Sequence, residues 1–130
     1  GFTFQVVAPF CARAIGVDVN CPGIGGELYE MTTDAFFVSV ASDLPEFELT
    51  FIDADHRSGQ ALWDFKNAWE RTSKNGLVIL HDTYPENDQE KGDGFCSDSY
   101  VVPGLIRKKY PDAEVLTFPF PPGLTIVRKP

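Results

Sequence analysis

Apolar residues along the chain fall into short runs separated by turn residues. Six of these runs have the length and composition of buried strands: Ala14–Val19, Leu28–Thr32, Leu49–Asp53, Leu77–His81, Glu114–Phe118 and Leu124–Arg128. LTFID and LVILH are apolar at successive positions, as expected of strands covered on both faces. Between them the spacing changes. Ala61, Leu62, Phe65, Ala68 and Trp69 recur at i, i+1, i+4, i+7 and i+8, which predicts one face of an amphipathic helix. That pattern makes Trp69 a core residue and leaves Trp63 off the stripe, on a surface or interface. Asn75-Gly76 reads as the cap that ends this helix. A second helix is expected over Val102–Tyr110, before Pro111-Asp112. FPFPPG, between the last two runs, is short enough for an antiparallel hairpin.

Strands alternating with helices, closed by a hairpin, predict an α/β sandwich with a mostly parallel sheet. There is no repeat and no composition break, so one domain covering residues 1–130 is expected. In such sheets ligands gather at the carboxyl ends of the strands. Asp18, Asp34, Asp53, Asp55, His56, His81 and Asp82 all lie at or just after predicted strand ends. A carboxylate beside a buried strand is costly unless it is paired. Two neighbouring strands each end in an acid with a histidine next to it, and these are the only two histidines in the chain.

Composition narrows the partners. With 11 basic against 19 acidic residues the net charge is −8, and a nucleic-acid binder would normally carry a basic stripe. Arg107-Lys108-Lys109, the one basic cluster, falls on the second helix as a solvated face. No apolar run reaches the roughly 18 residues of a membrane span. No basic segment leads into an apolar one at the N-terminus, as a signal peptide would require. The three cysteines, Cys11, Cys21 and Cys96, are odd in number and widely spaced. They read as free thiols of a reducing, cytoplasmic compartment. Nucleic acid and membrane are therefore not expected as partners.

The pieces AIGVDVN, MTTDAFF, FELTFIDADH, KNG, LVILHDTYP and FPPGLTIVRK occur in an order that resembles class I S-adenosylmethionine-dependent methyltransferases. The branch is that of the small-molecule O-methyltransferases. The resemblance implies a Rossmann-like α/β sandwich, N-terminally truncated, with methyl transfer from S-adenosylmethionine to a hydroxyl of a small-molecule acceptor. It implies that Asp18, with Val19, meets the ribose hydroxyls. Asp34, with Ala35 and Phe36 beside the ring, would meet the adenine amino group. Asp53 would lie near the methionine end. In metal-dependent members, acids in the positions of Asp53 and Asp82 hold magnesium, so Mg²⁺ is an optional second cofactor. Asp55, His56 or His81 would then serve as the base that takes the acceptor proton. Asp55 has a second reading, as a cap of the helix beginning near Arg57, and Asp34 one as the cap of the AFF turn.

The family's first strand and most of its glycine-rich motif have no counterpart. Gly1 stands where the last glycine of that motif would be, unless it is a scar of tag removal, with Phe2–Ala12 as the following helix. Three arrangements would account for the gap: a fragment, a second copy of the chain in a homodimer, or FTFQVV re-used as a strand, since it alternates at period two. Gly23-Ile24-Gly25-Gly26 opens into a strand rather than a helix, so it reads as a turn and not as the lost loop. The polar stretch Glu86–Ser99 is either a mobile loop over the site or plain disorder. Two rival readings of the whole stand beside methyl transfer. One is a metal-dependent hydrolase built on Asp53, Asp55, His56, His81 and Asp82. The other is a non-catalytic remnant that acts through its sheet edges.

Overall fold

A computed structural model describes residues 2–21, 25–53, 55–92 and 94–130. Two compact units make up the chain, Gly1–Leu44 and Pro45–Pro130, with no composition break to mark the junction.

In the first unit α1 (Phe2–Val7) precedes β1 (Ile15–Asp18), β2 (Glu27–Glu30) and α2 (Thr33–Ser39). FTFQVV is thus a helix, which removes the option of its re-use as a strand. Tertiary contact overrides its period-two pattern. Gly16 and Gly26 lack a Cβ, so the Phe4 ring can lie close over both; an added Cβ would meet it at 3.2 and 3.0 Å. β1 and β2 pair in parallel despite their short connection, with Ile15 opposite Glu27 and Asp18 opposite Glu30. Arg13 and Glu27 form a two-pronged ion pair with Nη2 2.7 Å from Oε1. β2 ends at Glu30, two residues sooner than expected, because Thr32 is taken as a helix cap. Its hydroxyl accepts the Ala35 amide at 3.2 Å. Pro22, Gly23, Ile24 and Gly1 lie outside the described residues, and with them part of the expected turn and the Gly1 cofactor position.

The second unit contains β3 (Phe47–Ile52), α3 (Ser58–Arg71), β4 (Thr72–His81), α4 (Val102–Lys109), β5 (Glu114–Phe118) and β6 (Leu124–Arg128). Its sheet has the order β3-β4-β6-β5. β3 and β4 are parallel, and β6 is antiparallel to both β4 and β5, so the predicted terminal hairpin is present. Alternate residues of β4 and β6, among them Val78, Leu80, Thr125 and Val127, are buried with Phe65 and Ala68 of α3 and Val102 and Ile106 of α4. This is the core of the unit. Trp69 packs at its margin, stacked on Phe65 at 5.5 Å between ring centroids and edge-on to Tyr110. Trp63 is exposed, as its place off the stripe implies.

Asn75-Gly76 does not cap α3, which stops at Arg71. Both residues sit inside β4, where the register jumps: Phe47 faces Thr72, and Leu49 faces Leu77. Asn75 takes a positive φ of 64° in this bulge. Gly76 is required there, since a Cβ would come within 2.9 Å of the Ser73 carbonyl and 3.1 Å of that of Glu48. An Asn-Gly pair serves a bulge as well as a helix end, and only the pairing partners distinguish the two.

Candidate active site

The parallel register sets Ile52 of β3 beside Leu80 of β4, so the next residues, Asp53 and His81, are neighbours at the carboxyl edge of the sheet. Ordinary strand alternation would send His81 and Asp82 to opposite faces. Instead Asp82 takes a left-handed backbone, φ 57°, which aspartate tolerates better than most residues. Its carboxylate turns back, and His81 Nδ1 lies 2.9 Å from Asp82 Oδ2 and 3.6 Å from Asp53 Oδ1. His56, from the loop between β3 and α3, completes the group. Its Nε2 is 3.0 Å from Asp82 Oδ2 and 3.7 Å from Asp53 Oδ1. Four of the five site residues expected from this half of the sequence therefore converge. Asp82 is buried, while Asp53 opens to solvent.

His56 Nδ1 makes a hydrogen bond with the Phe95 carbonyl. A carbonyl only accepts, so Nδ1 carries the proton. Nε2 is turned to the carboxylates, 3.0 Å from Asp82 Oδ2, where a proton would bridge the two. Asp55 is differently placed. Its carboxylate accepts the Arg57 amide at 2.9 Å and Nε at 3.0 Å, and pairs with the Arg57 guanidinium. Those bonds, the guanidinium's first, hold its carboxyl down at about 2. A group so acidic is a poor proton acceptor near neutrality. The helix-cap reading of Asp55 is not met either, because Asp98 takes that part. Asp98 accepts the Ser58 amide at 2.5 Å and the Ser58 hydroxyl at 2.7 Å at the start of α3.

The polar stretch after β4 is tied to the site at its far end. Besides Phe95 and Asp98, the Ser99 hydroxyl donates to the Asp82 carbonyl. Cys96 is buried with Sγ 3.9 Å from Asp82 Oδ1. Burial, and secondarily the charges of Asp82 and Glu90, push its thiol up to about 11. From the other side, the β5–β6 turn grips the chain after Asp82: the Tyr84 amide donates to the Pro122 carbonyl at 2.8 Å. Gly123, φ 92°, leaves no room for a Cβ, which would fall 2.2 Å from the Tyr84 nitrogen. Behind the site the Thr125 hydroxyl donates to that of Thr83 at 2.9 Å, and both are buried. Sequence reading missed Cys96, Asp98, Ser99 and Thr83. Polar residues in a loop carry no periodicity, so nothing local marks them as partners of Asp82 or α3.

In the first unit the carboxyl ends of β1 and β2 adjoin, with the Met31 amide donating to the Asp18 carbonyl at 3.0 Å. Asp18 and Val19 are exposed there. Asp18 Oδ1 accepts the Asn20 amide at 3.1 Å. A cleft lined by Phe4, Gly16, Val17, Asp18, Cys21 and Leu28 opens beside it. Asp34 and Ala35 are exposed in the first turn of α2. The cap there is Thr32 and not Asp34. Phe36 is turned into the core, 3% exposed, with its ring 5.4 Å from that of Tyr29.

The family described as "Methyltransferase domain" matches residues 13–83, which include Asp18, Asp34, Asp53 and Asp82. No curated protein matches the sequence. Among solved structures, the chain is similar to the O-methyltransferase from Bacillus cereus in complex with S-adenosylhomocysteine, at a TM-score of 0.68 and 14% identity. That similarity covers 91% of this chain and 63% of the other, so the chain spans about three-fifths of that protein's length. A Staphylococcus aureus protein assigned as a caffeoyl-CoA O-methyltransferase gives a TM-score of 0.65 at 18% identity, over 100% of this chain and 71% of its own. MycE, a methyltransferase of the mycinamycin biosynthetic pathway in complex with Mg and S-adenosylhomocysteine, gives 0.62 at 13% identity, over 90% and 36%. At these identities the likeness is one of fold. With more than half of its length matched by the family, the chain belongs to the methyltransferase-domain family, and its fold is the class I methyltransferase fold of these solved O-methyltransferases.

Proposed function

We propose that this chain is part of an enzyme that transfers the methyl group of S-adenosylmethionine to a hydroxyl of a small-molecule acceptor. The observation that carries the reading is the convergence of Asp53, His56, His81 and Asp82 at the carboxyl ends of β3 and β4 in a chain of this family. Family membership favours methyl transfer over the hydrolase reading of the same side chains, and over a non-catalytic remnant.

Asp18 is the acceptor for the ribose hydroxyls, with Val19 beside it, and Asp34 with Ala35 is the adenine end. When bound, S-adenosylmethionine supplies an electrophilic methyl group on a sulfonium. Asp53 and Asp82 are the acids suited to a divalent cation; their carboxylate oxygens fit a hard ion, which would lower the pKa of an acceptor hydroxyl. His56 is the base. Its Nδ1–H is anchored on the Phe95 carbonyl, so Nε2 is the atom that takes the acceptor proton, and the imidazolium formed is stabilised by Asp82 at 3.0 Å. Asp55, already committed to Arg57, orients the loop that carries His56.

Calorimetric titration of the chain with S-adenosylhomocysteine tests the reading. Saturable one-to-one binding is expected. Asp18→Ala should weaken it by roughly 10- to 100-fold, the worth of hydrogen bonds to a charged acceptor. A folded chain that does not bind, or an Asp18→Ala chain that binds as well as its parent, refutes it.

A further inference from the structure

We propose that His81 is a metal ligand, and that Asp53, His81 and Asp82 together form a site for a nitrogen-accepting divalent ion of the Mn²⁺, Co²⁺ or Zn²⁺ class in preference to Mg²⁺. The inference rests on the reading above that Asp53 and Asp82 bind a cation, and it changes the character of that site.

Donor geometry is the first ground. One donor atom from each of the three residues lies within 4.8 Å of the other two. His81 Nδ1 stands 2.9 Å from Asp82 Oδ2 and 3.6 Å from Asp53 Oδ1. An ion holding nitrogen and oxygen donors at about 2.0–2.2 Å sets neighbouring donors roughly 3 Å apart, so small side-chain adjustments suffice. The second ground is how the nitrogen comes to be there. The left-handed turn at Asp82 brings two consecutive residues to one point that a regular strand would separate. The Ser99 hydroxyl on the Asp82 carbonyl and the β5–β6 turn on Tyr84 brace that turn. A cation held at that point would be attracted by both carboxylates.

Ligand chemistry then sets the selectivity. Mg²⁺ prefers an all-oxygen octahedron, whereas first-row divalent ions accept an imidazole nitrogen with an affinity that rises from Mn²⁺ to Co²⁺ and Zn²⁺. His56 is not the third ligand in this assignment. Its Nε2 faces the same carboxylates from the loop side and stays available as the base.

Electron spin-echo spectroscopy of Mn²⁺ added to the chain gives a direct reading. Nitrogen modulation from a coordinated imidazole is expected, retained in His56→Gln and lost in His81→Gln. Calorimetric titration should show Co²⁺ binding at least about tenfold tighter than Mg²⁺. His81→Gln should reduce that preference and leave Mg²⁺ within about threefold of its affinity for the parent chain. Circular dichroism confirms that each variant is folded, and because nitrogen coupling is read first on the unaltered chain, the result does not depend on His81→Gln folding. Bound Mn²⁺ without nitrogen coupling, coupling that survives in His81→Gln, equal or tighter Mg²⁺ binding, or no metal binding at all overturns the inference. S-adenosylhomocysteine titration of the metal-free chain reports separately on methyl transfer. Its failure alongside nitrogen-coupled Mn²⁺ refutes that function and leaves the His81 ligand standing.

Discussion

At Asp82 one torsion decides the chemistry. With φ at 57° its carboxylate meets His81 Nδ1 at 2.9 Å and His56 Nε2 at 3.0 Å, where an extended residue would have turned it away. The cost of that conformation is borne by local bonds, since aspartate in the left-handed region is strained by little and Ser99 holds its carbonyl. Two residues nearby have charge states that can be checked. Cys96, buried and pushed up to about 11, stays a protonated thiol at pH 8. Iodoacetamide at that pH should therefore modify exposed Cys11 in the folded chain and spare Cys96 until denaturant is added, as mass spectrometry of the peptides would record. Asp55 moves the other way, from an ordinary 3.8 to about 2. A depressed carboxyl adds stability that is present above the unfolded value and is lost as pH falls through the folded one. Between about pH 4 and pH 2 the parent chain should lose stability faster than Asp55→Asn, which lacks the group. Urea midpoints of the two chains at pH 2, 3, 4 and 5 measure this, and parallel curves would remove Asp55 from the account.

The elements around the site are fixed from a distance. α3 begins without a side-chain cap of its own; the carboxylate on its first amide comes from Asp98, 40 residues later. That bond also anchors the segment whose Phe95 carbonyl sets the tautomer of His56. Asp98→Ala should cost about 1 kcal/mol, the usual worth of a helix cap. It should also speed amide exchange at Ser58 while leaving the β4 amides protected. Exchange unchanged at Ser58 would mean that the cap contributes nothing. The same logic explains why Asn75-Gly76 misleads. Its backbone preferences are real, but the β3 pairing places them in a bulge of β4, where Gly76 fits between the Ser73 and Glu48 carbonyls.

For the whole molecule, charge sets the first constraint on partners. At −8 the chain repels a phosphate backbone, and its basic residues include two arginines, Arg13 and Arg128, committed to glutamates. Affinity for duplex nucleic acid at physiological salt should be weaker than the 10⁻⁴–10⁻⁶ M range of ordinary non-specific binders, roughly. Fluorescence anisotropy with a labelled duplex would show it, and micromolar binding would return nucleic acid to the possible acceptors. Among the described residues, no helix is long and apolar enough to cross a membrane.

The two periodicities of the sequence carried most of the fold. β5 and β6 stand where alternation places them, α3 follows the Ala61–Trp69 stripe, and β3 and β4 are both present, but β3 leaves Leu49 and Phe51 exposed where cover on both faces was expected. Residue type and position were also enough to single out Asp53, His56, His81 and Asp82, since charge directly after an apolar run needs a reason. What local pattern does not contain is pairing between distant segments. Whether FTFQVV is helix or strand was settled by Phe4 finding two glycines, 12 and 22 residues away by number, to pack against. The pairing of Asp55 with Arg57 and the capping of α3 by a residue from another loop are likewise absent from the local pattern. The sequence by itself determined which side chains could do chemistry. The tertiary structure decided which of them meet, because their distances depend on strand register, on one left-handed torsion and on hydrogen bonds that span tens of residues.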